Sequence, residues 1–167
     1  MNSSNNKLQK VSRIVLILVR IVQGILLYSI VLNAYTGMRA IGISITAEMG
    51  DSVTSAIQNI SISTIALAVL FIASAFLKSI RSEYTPFIDK NVARLKSMAI
   101  LIAIIEPIGL AINFFSNMLR PISADGIKTV THSSMGGMVI VLGLIVYCIA
   151  IVFEHGSYLQ KQSDETL

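Results

Sequence analysis

Residues 52–77, SVTSAIQNISISTIALAVLFIASAFL, form a run of 26 residues that contains no Asp, Glu, Lys or Arg. Two further runs of 18 and 21 residues, at 21–38 and 133–153, are also free of these side chains, and a run of 23 residues at 97–119 contains only one of them, Glu106. A helix needs about 20 predominantly apolar residues to cross the ~30 Å hydrocarbon core of a bilayer. The sequence therefore predicts an all-α integral membrane protein that folds as a four-transmembrane-helix bundle.

The composition leaves no room for a separate soluble domain. Of the 167 residues, 54% are hydrophobic and 13% are charged, whereas about 25% are charged in ordinary soluble proteins. We therefore expect one transmembrane domain over 1–167 that ends in a cytoplasmic tail at 155–167, with the lipid bilayer as a partner. The four expected spans lie at about 14–35, 58–78, 97–117 and 135–154.

The distribution of Lys and Arg predicts the orientation of the helices. Ten of the 13 basic residues lie in the N-terminal segment, in the connection between the second and third spans, or in the tail, and the other two connections contain three. The positive-inside rule therefore predicts that both termini and the middle connection are cytoplasmic. Because the basic residues flank apolar runs and do not form a folded basic surface, we expect no direct binding of nucleic acid despite the net charge of +4.

The first outer connection, at about 36–57, has two interpretations. Its apolar side chains alternate at Ile41, Ile43 and Ile45, which is typical of a short strand-like or interfacial segment. The stretch 47–58 can equally be the exposed start of the second helix, because its apolar residues also recur at helical spacing. This connection and the third one are both too short for a folded domain, which argues against a large ligand-binding role outside the membrane.

Glu106 is the only acidic side chain deep inside a predicted span, about nine residues or roughly 14 Å from its cytoplasmic end. Pro107 follows it and cannot donate a hydrogen bond to the carbonyl four residues earlier, so we expect a kink or a local polar pocket. A lone carboxylate in lipid costs several kcal/mol, and Glu106 should therefore face the bundle interior, either protonated or paired. Arg20 in the first span is its natural partner. The predicted intramembrane polar site therefore consists of Glu106, Arg20 and Pro107.

The sequence leaves three interpretations of this polar site open. Glu106 and Arg20 can form a proton-, ion- or ligand-responsive site, or they can form a buried ion pair that fixes how the helices dock. Alternatively, Arg20 extends to the lipid headgroups, and Glu106 is a protonated carboxyl group that bonds to Asn113, Ser97 or the backbone. Only the first interpretation assigns the pair a function beyond stability.

Small residues recur every seven positions on two of the predicted helices. This period predicts close, left-handed helix packing, within the chain or against another copy in a homo-oligomer. The two sets are Gly136, Gly143 and Ala150 in the fourth span, and Ser61, Ala68 and Ala75 in the second.

The chain lacks the sequence patterns of common catalytic and metal sites. It has no GxxxxGK, HExxH or GxSxG motif. His132 and His155 are each isolated, with no second ligand at metal-binding spacing, and Cys148 has no second cysteine to pair with. We therefore expect no enzyme activity, no cofactor and no metal.

Two cytoplasmic segments carry a more specific pattern, EYTPFIDKNVARLK at 83–96 and FEHGSYLQKQSDETL at 153–167. Together they resemble the bacterial membrane-protein family known as domain of unknown function 2975. Members share a T-P-F … N-V … L connection before the third span and an F-x-x-G-x-x-L-Q-x-x-x-D-x-T-L tail. The matching residues are Pro86, Phe87, Val92 and Leu95 in the connection, and Phe153, Gly156, Leu159, Gln160, Asp164, Thr166 and Leu167 in the tail.

The resemblance implies a four-span protein of the bacterial cytoplasmic (plasma) membrane whose activity is not established. Members are often encoded beside a small helix-turn-helix regulator, which implies a small cytoplasmic DNA-binding regulator as a partner. The tail fits such a partner, because from Glu154 onward it has three acidic residues and one Lys, and anionic lipid headgroups repel it. The candidate partner-binding residues are Pro86, Phe87, Leu159, Gln160 and Asp164.

Two functional hypotheses follow from these patterns. In the first, the chain is a non-enzymatic membrane-bound regulator that holds its partner away from DNA through the middle connection and the tail. In the rival hypothesis, it is a small transport, channel or immunity-type protein in which Glu106 and Arg20 line a pathway. The tail is then passive, for example as a frayed, solvated end.

Overall fold

Four long α-helices make up the part of the chain that the computed structural model describes, which is residues 2–43, 47–83, 87–119 and 137–165. Each helix contains a segment of 26 to 30 residues that is long and apolar enough to cross a membrane. The predicted all-α fold with four such helices is confirmed. The helices are α1 (Asn2–Ile43), α2 (Ala47–Glu83), α3 (Asp89–Leu119) and α4 (Met138–Glu165).

The first outer connection is mostly helical. Helix α1 continues through Ile41 and Ile43, so the strand interpretation is wrong for these two residues, and Ile45 lies outside the described residues. Helix α2 begins at Ala47, which confirms the alternative that 47–58 is the start of the second helix. Alternation of three isoleucines over five residues is too short a signal to outweigh the helical pattern on either side of it.

The helices pack in chain order as a row. Helix α1 packs along α2, α2 along α3 and α3 along α4, and within the described ranges no other pair of helices has Cα atoms within 8 Å of each other. The row differs from a closed bundle because lipid, unlike water, does not penalise an apolar face that lacks a protein neighbour. Consecutive helices are antiparallel, as shown by the side-chain contacts Asn33–Asn59, Thr54–Ser116 and Lys96–Glu154.

This arrangement brings the N-terminal end of α1, the middle connection and the C-terminal end of α4 to the same end of the row. We call it the inner end, after the predicted orientation, and we call the opposite end the outer end.

The polarity of the row is the reverse of that of a soluble protein. Large apolar side chains are exposed, such as Tyr28, Phe114 and Met138, which are 69%, 67% and 78% accessible. Such a surface is unfavourable in water, whereas close packing of small and polar residues is what holds helices together in lipid. The exposed apolar surface and the helix lengths together indicate a multi-pass membrane protein. In the described part of the chain the buried residues other than glycine are Ala56, Val92, Leu95, Ala99, Ala150, Gln23, Ser63, Ser74, Asn91, Glu106 and Ser157.

The small residues of α4 pack against α3 of the same chain. A Cβ atom added to Gly143 would lie 2.9 Å from the Cβ of Ala103 and 3.0 Å from the carbonyl oxygen of Ala99, so the two helix backbones approach closely here. Ala150, one heptad further along α4, is completely buried. Gly136 lies outside the described residues.

Candidate functional sites

Glu106 belongs to a stripe of polar and small residues on the buried face of α3. The stripe follows the three- and four-residue spacing of one helix face, and we call it the polar stripe. Helix α2 contacts it at two points: Thr54 Oγ1 lies 2.8 Å from Ser116 Oγ, and Gln58 Nε2 lies 3.6 Å from where a Cβ on Gly109 would stand. The residues of the polar stripe are Glu106, Gly109, Asn113 and Ser116.

Ser63 of α2 lies at about the same height along the row as Glu106. Two contacts near opposite ends of α2 fix its register against α3: the hydroxyl pair made by Thr54 and the hydrogen bond from Arg94 Nη1 to the carbonyl oxygen of Ala75, at 3.2 Å. Both helices rise by the same amount per residue, so interpolation between these contacts places Ser63 opposite Glu106. The two side chains are only 9% and 8% accessible.

The structure does not bring Arg20 to Glu106. Arg20 is exposed on α1, and α1 packs on α2 without backbone contact to α3 within the described ranges. Gln23, three residues after Arg20 on α1, is buried, with 4% accessibility. Its Nε2 atom has no hydrogen-bond partner among the described residues.

Of the other partners considered for Glu106, Ser97 is engaged elsewhere and Asn113 lies on the polar stripe. Ser97 Oγ donates a hydrogen bond to the carbonyl oxygen of Ala93, at 2.9 Å. The Nδ2 atom of Asn113 is buried and has no hydrogen-bond partner in the described part of the chain. Helix α3 continues without a break through Pro107, whose side chain is exposed. The polar site therefore consists of Glu106 and its stripe neighbours, with Arg20 apart from it.

A second candidate site, the aromatic junction, lies at the inner end, where the middle connection meets α2, α3 and α4. The ring of Phe87 lies directly over Gly156, because a Cβ on this glycine would be 2.5 Å from Phe87 Cδ1. The ring centroids of Phe87 and Phe153 are 5.3 Å apart, and those of Phe153 and Phe76 are 6.3 Å apart. We define the aromatic junction by these residues, Phe76, Phe87, Phe153 and Gly156.

Polar contacts surround the aromatic junction and join α3 to α4. Asp89 accepts hydrogen bonds from Ser157 Oγ at 2.9 Å and from Lys161 Nζ at 2.7 Å. Lys96 Nζ donates to both carboxylate oxygens of Glu154, at 2.8 and 2.9 Å. Ion pairs this exposed add little stability, but they orient α4 relative to α3 and neutralise the charges at this corner of the protein.

Asn91 is the best buried polar residue of this region, with no accessible surface. Its Oδ1 accepts a hydrogen bond of 3.0 Å from Arg94 Nη1, which also donates to the Ala75 carbonyl of α2. Asn91 and Arg94 thus link the start of α3 to α2. The sequence analysis did not name Asn91 as a site residue, although it is the N of the N-V pattern in the middle connection and lies three residues before an arginine.

The predicted partner-binding residues divide into two groups. Phe87 is 38% accessible and is engaged in the aromatic junction, whereas Leu159 is 62% accessible and Gln160 is also exposed. Pro86 and the side chain of Asp164 lie outside the described residues. The tail is helical through Glu165, so in its described part it is not a frayed end.

The fold and the two sites define an all-helical chain with four candidate membrane-spanning helices and a packed inner end. A scan against protein-family models finds no match, and searches of curated proteins and of solved structures also find none. The resemblance to domain of unknown function 2975 therefore stays a prediction. In the residues that the structure describes, no cluster of three His, Cys, Asp or Glu side chains is arranged to hold a metal ion.

Proposed function

We propose that this chain is a non-enzymatic, multi-pass protein of a bacterial cytoplasmic membrane with both termini in the cytoplasm. We further propose that it binds a small cytoplasmic DNA-binding regulator through the inner end of α4. The observation that carries this proposal is the extension of α4, which continues as a helix for 11 residues past Glu154, or roughly 16 Å. On this extension Tyr158 and Leu159 are 61% and 62% accessible.

The extension is suited to binding because its base is held in place. Gly156 is covered by Phe87 and Ser157 is bonded to Asp89, so the neighbouring Tyr158 and Leu159 project from an anchored helix. A preorganised surface loses less conformational entropy on binding than a flexible one. The chain end adds acidic residues, including the exposed Glu165, and a DNA-binding protein presents a basic surface of complementary charge.

Partner binding is favoured over the transport alternative by the position of Arg20. A pathway lined by Arg20 and Glu106 needs both side chains on one cavity, and they lie on helices whose backbones do not meet within the described ranges. A regulator held by α4 would in turn be kept away from DNA at the membrane.

Replacing Tyr158 and Leu159 together with Ser is expected to abolish co-purification of the partner while leaving the helices packed. Both residues are more than 60% accessible, so their replacement removes little buried surface from the fold. The matched control replaces Phe115 and Met118 with Ser, because these residues are 61% and 75% accessible at the outer end. The measurement is recovery of bound proteins from native membranes in mild detergent, identified by mass spectrometry.

Recovery of a small DNA-binding protein with the native chain and the outer control, but not with the inner variant, is the expected result. Equal recovery with both variants, or recovery of no DNA-binding protein with the native chain, would contradict the proposal.

Labelling of single cysteines tests the proposed orientation. In a Cys148→Ala background, Ser82→Cys and Glu165→Cys should react with a membrane-impermeant maleimide only after the membrane is permeabilised, since both lie at the inner end. Met118→Cys, at the outer end of α3, should react in intact cells. Labelling of Glu165→Cys in intact cells would show that the C-terminus is not cytoplasmic.

A further inference from the structure

We propose that the inner half of α1 is a binding site for an anionic phospholipid, whose phosphate is held by Arg13 and Arg20. The proposal rests on membrane insertion, which is part of the proposed function, but it does not depend on the protein partner. Lipid binding and partner binding are measured separately, so the failure of one leaves the other standing.

Arg13 and Arg20 line a single shallow groove on the surface of α1, together with Leu16, Ile17 and Ile21. The two arginines are seven residues apart, which is about two turns or ~10.5 Å along the helix. The groove therefore has an apolar floor with a guanidinium group toward each end. This combination matches a phospholipid, because an acyl chain can lie along the apolar side chains while the phosphate pairs with guanidinium groups.

Basic side chains of α2 lie at the same height as this groove. The hydrogen bond from Asn59 to Asn33 fixes the antiparallel register of α1 and α2. When the same register is extended along the two packed helices, Arg13 lies near the height of the exposed residues Lys78 and Arg81. Four basic residues therefore gather at the inner ends of the first two helices.

These cations have no counter-ion within the described part of the chain. Helix α1 contains no acidic residue, and in the inner half of α2 the only one is Glu83, its last residue. At the other side of the row, by contrast, Lys96 and Lys161 are each paired with a carboxylate. We call the paired side chains of α3 and α4 the neutralised half of the inner end, although Lys90 of α3 is exposed beside them, and we call the inner ends of α1 and α2 the cationic half.

The depth of Arg20 favours anionic over zwitterionic phospholipid at this site. It lies two turns further into the apolar segment than Arg13, which begins that segment. A guanidinium at this depth extends toward the interface and draws phosphate toward it. The ammonium group of a zwitterionic lipid would be repelled by the surrounding basic side chains, and an anionic lipid such as phosphatidylglycerol has no such group. We therefore expect anionic phospholipid to be favoured.

Native mass spectrometry of the intact protein in detergent, titrated with phosphatidylglycerol or phosphatidylcholine, tests this site. Each basic side chain near an anionic lipid surface accounts for about a fivefold change in affinity. The double substitution Arg13→Gln and Arg20→Gln should therefore weaken binding of the first phosphatidylglycerol by about 25-fold. The matched control, Lys96→Gln with Lys161→Gln, removes the same charge from the neutralised half and should change this affinity less than about threefold.

Three results would overturn the proposal. They are equal losses in the two double variants, no loss in the Arg13 and Arg20 variant, and equal affinity of the native protein for the two lipids. Should the double glutamine variant fail to fold, the single substitutions replace it, and each should reduce by a measurable amount the rise in melting temperature that phosphatidylglycerol produces in the native protein.

Discussion

Replacing Gly143 with Leu is expected to separate α4 from α3 and to lower the free energy of unfolding by about 3 kcal/mol. A Cβ at this position would already lie 2.9 Å from the Cβ of Ala103 and 3.0 Å from both the Ala103 nitrogen and the Ala99 carbonyl oxygen. Two of these three atoms belong to the helix backbone and cannot move aside without moving α3. Within the described ranges α3 is the helix whose backbone α4 approaches, so the loss of this packing is not replaced by backbone contact with another helix.

The measurement is unfolding of the purified protein by a denaturing detergent, followed by circular dichroism. Gly24→Leu is the matched control, because it makes the same change on α1, where no atom lies within 4 Å of the added Cβ. The free energy of unfolding of Gly143→Ala should lie between those of Gly143→Leu and Gly24→Leu. If Gly143→Leu were as stable as Gly24→Leu, the close approach of α3 and α4 would not exist in the folded protein.

Replacing Gly156 with Ala is expected to destabilise the native protein and to stabilise a variant that lacks the Phe87 ring. In the native chain the added Cβ would stand 2.5 Å from Phe87 Cδ1 and 2.6 Å from Cε1, so the ring must shift away from Gly156. That shift disturbs the packing of Phe87 against Phe153. In a Phe87→Ala background the clash is absent, and alanine is favoured over glycine in a helix by about 1 kcal/mol.

The four proteins of this cycle are compared by their melting temperatures in the same detergent. The coupling between positions 87 and 156 should be large enough to reverse the sign of the change in melting temperature that Gly156→Ala produces. A destabilising effect of the same size in both backgrounds would show that Gly156 is required for a reason other than the Phe87 ring. The comparison also controls for the general effect of removing a glycine, because Gly156→Ala is common to both backgrounds.

The elements of the fold could be predicted because the bilayer imposes a simple length rule on the sequence. Runs without charges as long as 52–77 leave helices as the main option for a single chain. Their lateral arrangement does not follow from such runs, since nearly every face of each helix is apolar. The row became visible only through contacts such as Thr54 with Ser116 and Gly143 with Ala103.

The candidate sites were predicted unevenly for a related reason. Glu106 is identified by its cost in lipid, and its burial agrees with that argument. The pairing with Arg20 required knowledge of which helices are neighbours, and depth along the membrane alone cannot provide it. Phe87 and Gly156 were singled out by resemblance, whereas their contact depends on how a connection folds back over α4. Asn91 was not named as a site residue because its burial and its hydrogen bond to Arg94 depend on how α3 packs on α2.

The order of the helices in the row has a consequence for biosynthesis. Every backbone contact between described helices joins segments that follow each other along the chain. Each helix from α2 onward can therefore pack against the helix before it, which has already been synthesised when the new helix leaves the ribosome. Contacts of this local kind favour rapid folding and limit the lifetime of misassembled intermediates. Synthesis and assembly of the chain can thus proceed together, one antiparallel pair at a time.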